Sequence, residues 1–122
     1  MKKHILVVDD EAAIRNLLAE FLTRSGYRVT DVNSPIEAQK VVERDPPQLI
    51  ISDLQLADSD GLDMIDQLRA MLPDTPMMLL TGVFFDPKVV RDVLSKKVSG
   101  YLQKTAPLSK VLAEVQRLAG PP

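Results

Sequence analysis

The sequence predicts an α/β fold: one five-stranded parallel sheet with helices on both faces. Three observations predict it. Short apolar blocks alternate with longer stretches whose apolar residues recur at helical spacing, five of each. The blocks at 5–8, 49–51 and 77–80 are continuously apolar, as strands covered on both faces should be. Four of the blocks run straight into polar or charged residues, which gathers chemistry at one edge of the sheet.

The first strand is Ile5-Leu6-Val7-Val8, after the basic start Met1-Lys2-Lys3-His4. It stops at Asp9-Asp10 and is too short for a signal peptide. His4 is expected as an ordinary strand-edge residue. Ile14, Leu17, Leu18, Phe21 and Leu22 predict a helix over 11–25, stopped by Gly26. Residues 27–32 mix polar and apolar, which places that strand at an edge. Ser34-Pro35-Ile36-Glu37 reads as a helix start, with a cap, a first-turn proline and a glutamate three residues after the cap. That helix runs to about Arg44 and is broken by Asp45-Pro46-Pro47. Leu49-Ile50-Ile51 leads to Ser52-Asp53. Leu62, Ile65, Leu68 and Leu72 predict the third helix. Met77 to Leu80 leads to Thr81-Gly82. Val89, Val90, Val93 and Leu94 predict the fourth helix, Gly100 to Gln103 the last strand, and Leu108, Val111, Leu112, Val115 and Leu118 the closing helix. An edge second strand favours the order 2-1-3-4-5, that of the flavodoxin-like doubly wound (βα)5 sandwich. Residues 1–119 are expected to form one domain, with 120–122 a chain end or the start of a linker.

Composition narrows the function. The 122 residues are 45% hydrophobic and 26% charged, ordinary for one globular domain. No apolar run approaches a membrane span, so a cytoplasmic place is expected. With no cysteine there is no disulfide, thiolate metal site or cysteine nucleophile, and one histidine makes a His-based metal site or triad improbable. Net charge is −2 with a pI near 5.3, and Lys96-Lys97 is only a pair, so direct nucleic-acid binding is not expected.

The carboxyl ends of the strands carry Asp9 and Asp10, then Asp53, Thr81 and Lys104. Three carboxylates brought together repel and raise one another's pKa. A divalent cation resolves this. Few protein donors, all hard oxygens, suit Mg2+, which keeps waters and bridges to phosphate. Lys104 adds positive charge and Thr81 a hydrogen bond. These are the parts of phosphoryl transfer, in which an aspartate can become an aspartyl phosphate. Plainer readings exist for each residue: caps for Asp9-Asp10 and Thr81, a turn residue for Asp53, packing for Tyr101.

Asp9-Asp10, Asp53-Leu54, Gly61, Thr81-Gly82 and Tyr101-Leu102-Gln103-Lys104, taken together, resemble the receiver domain of two-component response regulators over essentially the whole chain. The resemblance implies a phospho-acceptor at Asp53. It implies an Mg2+ site from Asp9, Asp10 and Asp53, with Asp10 the more direct ligand of the pair, and the backbone carbonyl of Gln55. Lys104 would pair with the phosphoryl group, Thr81 would be the switch hydroxyl and Tyr101 the aromatic that moves with it. The implied partners are a histidine kinase or phosphotransfer protein, and then an effector domain, another protein or a second copy of the chain. No enzymatic role is implied beyond self-phosphorylation from small phosphodonors and self-dephosphorylation.

Some positions depart from the family pattern. Leu56 and Ala57 replace the common methionine and proline. Thr105 follows the lysine where proline is usual, so a trans bond or a rearranged loop is expected there. Phe84 and Phe85 are expected to tuck into the core, and an apolar Val83 implies slow self-dephosphorylation. Three other functions compete. A degenerate receiver would act as a phosphorylation-independent interaction module. A phosphohydrolase wants a second acid two residues after its nucleophile, where this chain has Gln55. A nucleotide binder wants glycines in the loop that here reads Asp-Asp-Glu-Ala-Ala.

Overall fold

A computed structural model describes residues 2–53, 55–56, 59–82, 88 and 98–122 of the chain. In order they form β1 (His4–Val8), α1 (Ala12–Arg24), β2 (Arg28–Val32), α2 (Pro35–Arg44), β3 (Leu49–Ser52), β4 (Gln55–Leu56), β5 (Ser59–Asp60), α3 (Gly61–Met71), β6 (Met77–Thr81), β7 (Gly100–Gln103) and α4 (Leu108–Ala119). The parallel sheet runs β2-β1-β3-β6-β7, which is the order expected from the polar second block. The helix expected around Val89–Leu94, the loop of Phe84 and Phe85, and Lys96-Lys97 lie outside the described residues.

Alternation along each strand divides the core in two. Leu6, Val8, Ile50, Met77 and Leu79 face α2 and α3 and meet Val41, Met64, Ile65 and Leu68. Ile5, Val7, Leu49, Ile51, Met78 and Leu80 face the other way and meet Leu18 and Leu22 of α1 and Val111 and Val115 of α4. Every residue of β1, β3 and β6 is buried, whereas β2 and β7, at the two edges, are only partly covered. Continuous apolar blocks therefore became the three inner strands.

Capping sets where the helices stop and start. The Ser34 hydroxyl accepts the Glu37 N–H at 3.3 Å, as the cap pattern predicts. At the end of α1, Tyr27 N–H bonds to Leu22 O and Gly26 N–H to Thr23 O, both at 3.1 Å. That is a Schellman ending, and Gly26 holds its left-handed φ of +105°. It draws Tyr27 out of the expected strand, which begins at Arg28, and buries its ring beside Leu22. The Tyr27 hydroxyl then donates to Gly120 O at 2.7 Å, and Lys3 Nζ donates to Ala119 O at 2.7 Å, satisfying carbonyls at the end of α4.

His4 is not the edge residue expected from sequence. It opens the interior strand β1, pairs with Arg28 and is fully buried. Its Nε2 meets Thr30 Oγ1 at 2.7 Å. Burial, assisted by the Arg28 guanidinium, lowers its pKa below the ordinary imidazole value, against the opposing pull of Asp45.

Two outcomes follow from these local structures. Gly26→Ala places a Cβ in a left-handed conformation, 2.9 Å from the Pro122 side chain, and is expected to cost about 1–3 kcal/mol in a urea melt. Burial makes His4 harder to protonate in the folded chain than in the unfolded one, whose imidazole titrates near pH 6.5. Its contribution is thus fully present above that pH and lost as pH falls below it. The unfolding free energy should fall as pH drops below 6.5, with a slope that stays under about 1.4 kcal/mol per pH unit. That slope should flatten in His4→Gln; equal slopes in both proteins would contradict it.

Candidate functional site

The site is assembled by hydrogen bonds that carry the sheet one residue beyond its strands. Asp9 N–H bonds to Val32 O at 3.1 Å, Asp53 N–H to Val8 O at 3.1 Å, and Lys104 N–H to Thr81 O at 2.8 Å. Backbone geometry thereby fixes where these side chains begin. Asp9, Asp53 and Thr81 are buried, at 2%, 4% and 0% exposure, so two acids sit largely out of water at one edge of the sheet.

Lys104 bridges the edge. Its Nζ lies 2.9 Å from Asp53 Oδ2, 3.1 Å from Asp9 Oδ2 and 2.6 Å from Glu11 Oε1. Burial by itself would lower the ammonium's pKa. Hydrogen bonds to Asp53, Glu11 and Asp9 more than reverse this and raise it above the ordinary lysine value. Asp9 shifts upward, mainly because it is buried and further because Asp53 is near; the Glu11 N–H and Lys104 offset part of the rise. The Glu11 N–H reaches Asp9 Oδ1 at 2.8 Å, and Arg15 Nη1 donates to the Asp9 carbonyl at 2.8 Å, so the loop between β1 and α1 is held on both sides.

One carboxylate oxygen from each of Asp9, Asp10, Glu11 and Asp53 lies within 4.8 Å of the others. Asp10 and Glu11 are exposed, and Asp9 and Asp53 are buried beneath them. An all-oxygen donor set of high negative charge, open to water on one side, fits a hard divalent cation.

The edge brings together Asp9, Asp10, Asp53 and Lys104, with Thr81 on the neighbouring strand end. Tyr101 stands apart. It is half-buried in β7, packs against the core on the α2–α3 side, and its hydroxyl accepts from Gln103 Nε2 at 2.6 Å. Gln55 opens β4, paired in antiparallel register with Asp60 of β5. Leu54, Ala57 and Val83 lie outside the described residues. Thr105 is exposed in a turn closed by the Ala106 N–H on Gln103 O at 3.0 Å, and no cis peptide occurs among the described residues, in line with the trans bond expected before it.

Sequence reasoning passed over Glu11. Its signal was a long acid at the helix-start position, where a shorter side chain would cap; Glu11 makes no side-chain cap bond.

Comparison with known proteins agrees with this geometry. The profile of the response regulator receiver domain family matches residues 5–116. The response regulator MprA of Mycobacterium leprae (strain TN) is 35% identical over 121 residues, covering 93% of this chain and 50% of its own length. The chain thus spans about half the length of the curated relatives it matches. Among solved structures, the response regulator TrrA of Thermotoga maritima, in complex with Mg2+-BeF, superposes with a TM-score of 0.83 at 30% identity, covering 97% of this chain and 99% of TrrA. The chemotaxis regulator CheY4 of Vibrio cholerae gives 0.86 at 24% identity over 97% of this chain and 99% of its own, a likeness of fold. Nothing among the described residues favours a degenerate, phosphorylation-independent module. By sequence along nearly its whole length, and by the order of its strands, this chain belongs to the receiver domain family of two-component response regulators.

Proposed function

We propose that Asp53 is the phospho-acceptor of this receiver. An Asp53 carboxylate oxygen attacks the phosphorus of a phosphohistidine on a histidine kinase or phosphotransfer protein. The new P–O bond forms as the P–N bond breaks, and the electron pair returns to the donor imidazole. With a small donor such as acetyl phosphate the same attack would break the P–O bond to the acyl oxygen, and acetate would leave with the electron pair. The ion pair between Lys104 and Asp53, 2.9 Å long inside a ring of carboxylates, is the observation that carries this reading. It sets a fixed positive charge where phosphoryl oxygens would come to lie.

Asp9, Asp10 and Asp53, with the backbone carbonyl of Gln55, would hold Mg2+, with Asp10 the exposed member of the pair. The ion would neutralise charge on the transferring group. Lys104 then pairs with the phosphoryl oxygens and Thr81 donates a hydrogen bond, with Tyr101 adjusting its rotamer in response. Moving a 1:99 equilibrium to 99:1 requires about 5.5 kcal/mol. Two or three charge-assisted hydrogen bonds, at roughly 1.5–3 kcal/mol each, total about 3–9 kcal/mol, a range that brackets this requirement. The altered surface would be read by an effector domain, another protein or a second copy of the chain. We place the receiver unit at residues 1–119, with 120–122 a chain end or linker start, working in the cytoplasm without contacting nucleic acid or membrane itself.

Intact mass after incubation with Mg2+ and acetyl phosphate tests the assignment. Wild type should gain one phosphoryl mass, and neither Asp53→Asn nor wild type in EDTA should. A gain in Asp53→Asn would move the acceptor elsewhere. No gain in wild type, even from a kinase, would favour the interaction module.

A further inference from the structure

Three carboxylates hold Lys104, and they are not equivalent. Asp9 and Asp53 are nearly sealed from water, with side chains 3% and 5% exposed, whereas the Glu11 side chain is 58% exposed. A buried carboxylate left without its cation is costly; an exposed one is simply rehydrated. When Lys104 turns toward a new anion, Glu11 is the partner it can leave at least cost. Nor does α1 need the Glu11 carboxylate. The residue stands at the helix N-cap, yet its side chain makes no cap bond, and its N–H is satisfied by Asp9. Folding therefore does not account for the 2.6 Å contact with Lys104.

We infer that Glu11 is a positioning residue: an exposed anchor that holds Lys104 in the resting site and must be given up as the phosphoryl group arrives, so that it slows phosphorylation. The inference rests on the acceptor role proposed for Asp53. It assigns Glu11 to Lys104 rather than to the cation, although its carboxylate lies within the acidic cluster.

Two variants separate a hold on Lys104 from bare charge. Glu11→Gln keeps the length and loses the charge. Glu11→Asp keeps the charge but is one methylene too short to hold the ammonium. Rates of phosphorylation by acetyl phosphate at saturating Mg2+ should rise about two- to fivefold in both variants, the range that an ion pair with one exposed member is worth. Mg2+ affinity, followed by amide shifts in an NMR titration, should change by less than about threefold. Melting temperatures should stay near wild type, because no cap is lost.

Acceleration in Glu11→Gln alone would overturn the inference, since charge repulsion of the donor would explain it. Slower phosphorylation with a tenfold or greater loss of Mg2+ affinity would also overturn it, and make Glu11 a metal ligand. Unchanged rates in both variants, with wild type still modified on Asp53, would overturn the anchor and leave the acceptor assignment standing. A wild type that takes no phosphoryl group would overturn both.

Discussion

The contact between Lys104 and the acids of the first and third strands is the interaction on which the edge of this sheet depends. Asp9 and Asp53 are almost completely buried beside each other, and their mutual repulsion is tolerable only with a cation between them. In the resting chain that cation is the Lys104 ammonium. A lysine held this way is both a structural counter-charge and a group waiting for a stronger anion. Receiver domains are signalling switches, and an ion pair with a second possible partner is a physical means of switching.

The rest of the fold delivers those groups to one place. Sealing both faces of β1, β3 and β6 leaves the strand ends as the place where polar side chains can gather. Hydrogen bonds from Asp9, Asp53 and Lys104 to the neighbouring strands extend the sheet by one step, so the acids and the lysine inherit the rigidity of the core. At the opposite end, Lys3 and Tyr27 tie down the carbonyls that end α4, the helix following the Lys104 turn. The placement of Lys104 is thus supported from both directions along the chain.

Much of this was legible in the residues because the relevant signals are strong and local. Uninterrupted apolar runs marked the inner strands, mixed polarity marked the edge strand, and Ser34 with Glu37 marked a helix start that the structure reproduces. Charged residues directly after apolar blocks marked the strand ends. What escaped depends on tertiary context. Two-residue strands such as β4 and β5 carry no periodicity. Tyr27 has strand propensity, but the Schellman ending of α1 claims it. His4 looked like an ordinary strand-edge residue, and only pairing on both sides of β1 buries it. Glu11 read only as the first residue of the predicted helix, because its partner lies 93 residues away.

A structure of the chain with Mg2+ and beryllium fluoride tests the central claim most directly. Beryllium should bond to an Asp53 carboxylate oxygen, with Lys104 Nζ within about 3 Å of a fluorine and no longer on Glu11. Lys104 still bound to Glu11 and Asp9, with the beryllium fluoride group absent from Asp53 or unpaired there, would contradict the central claim.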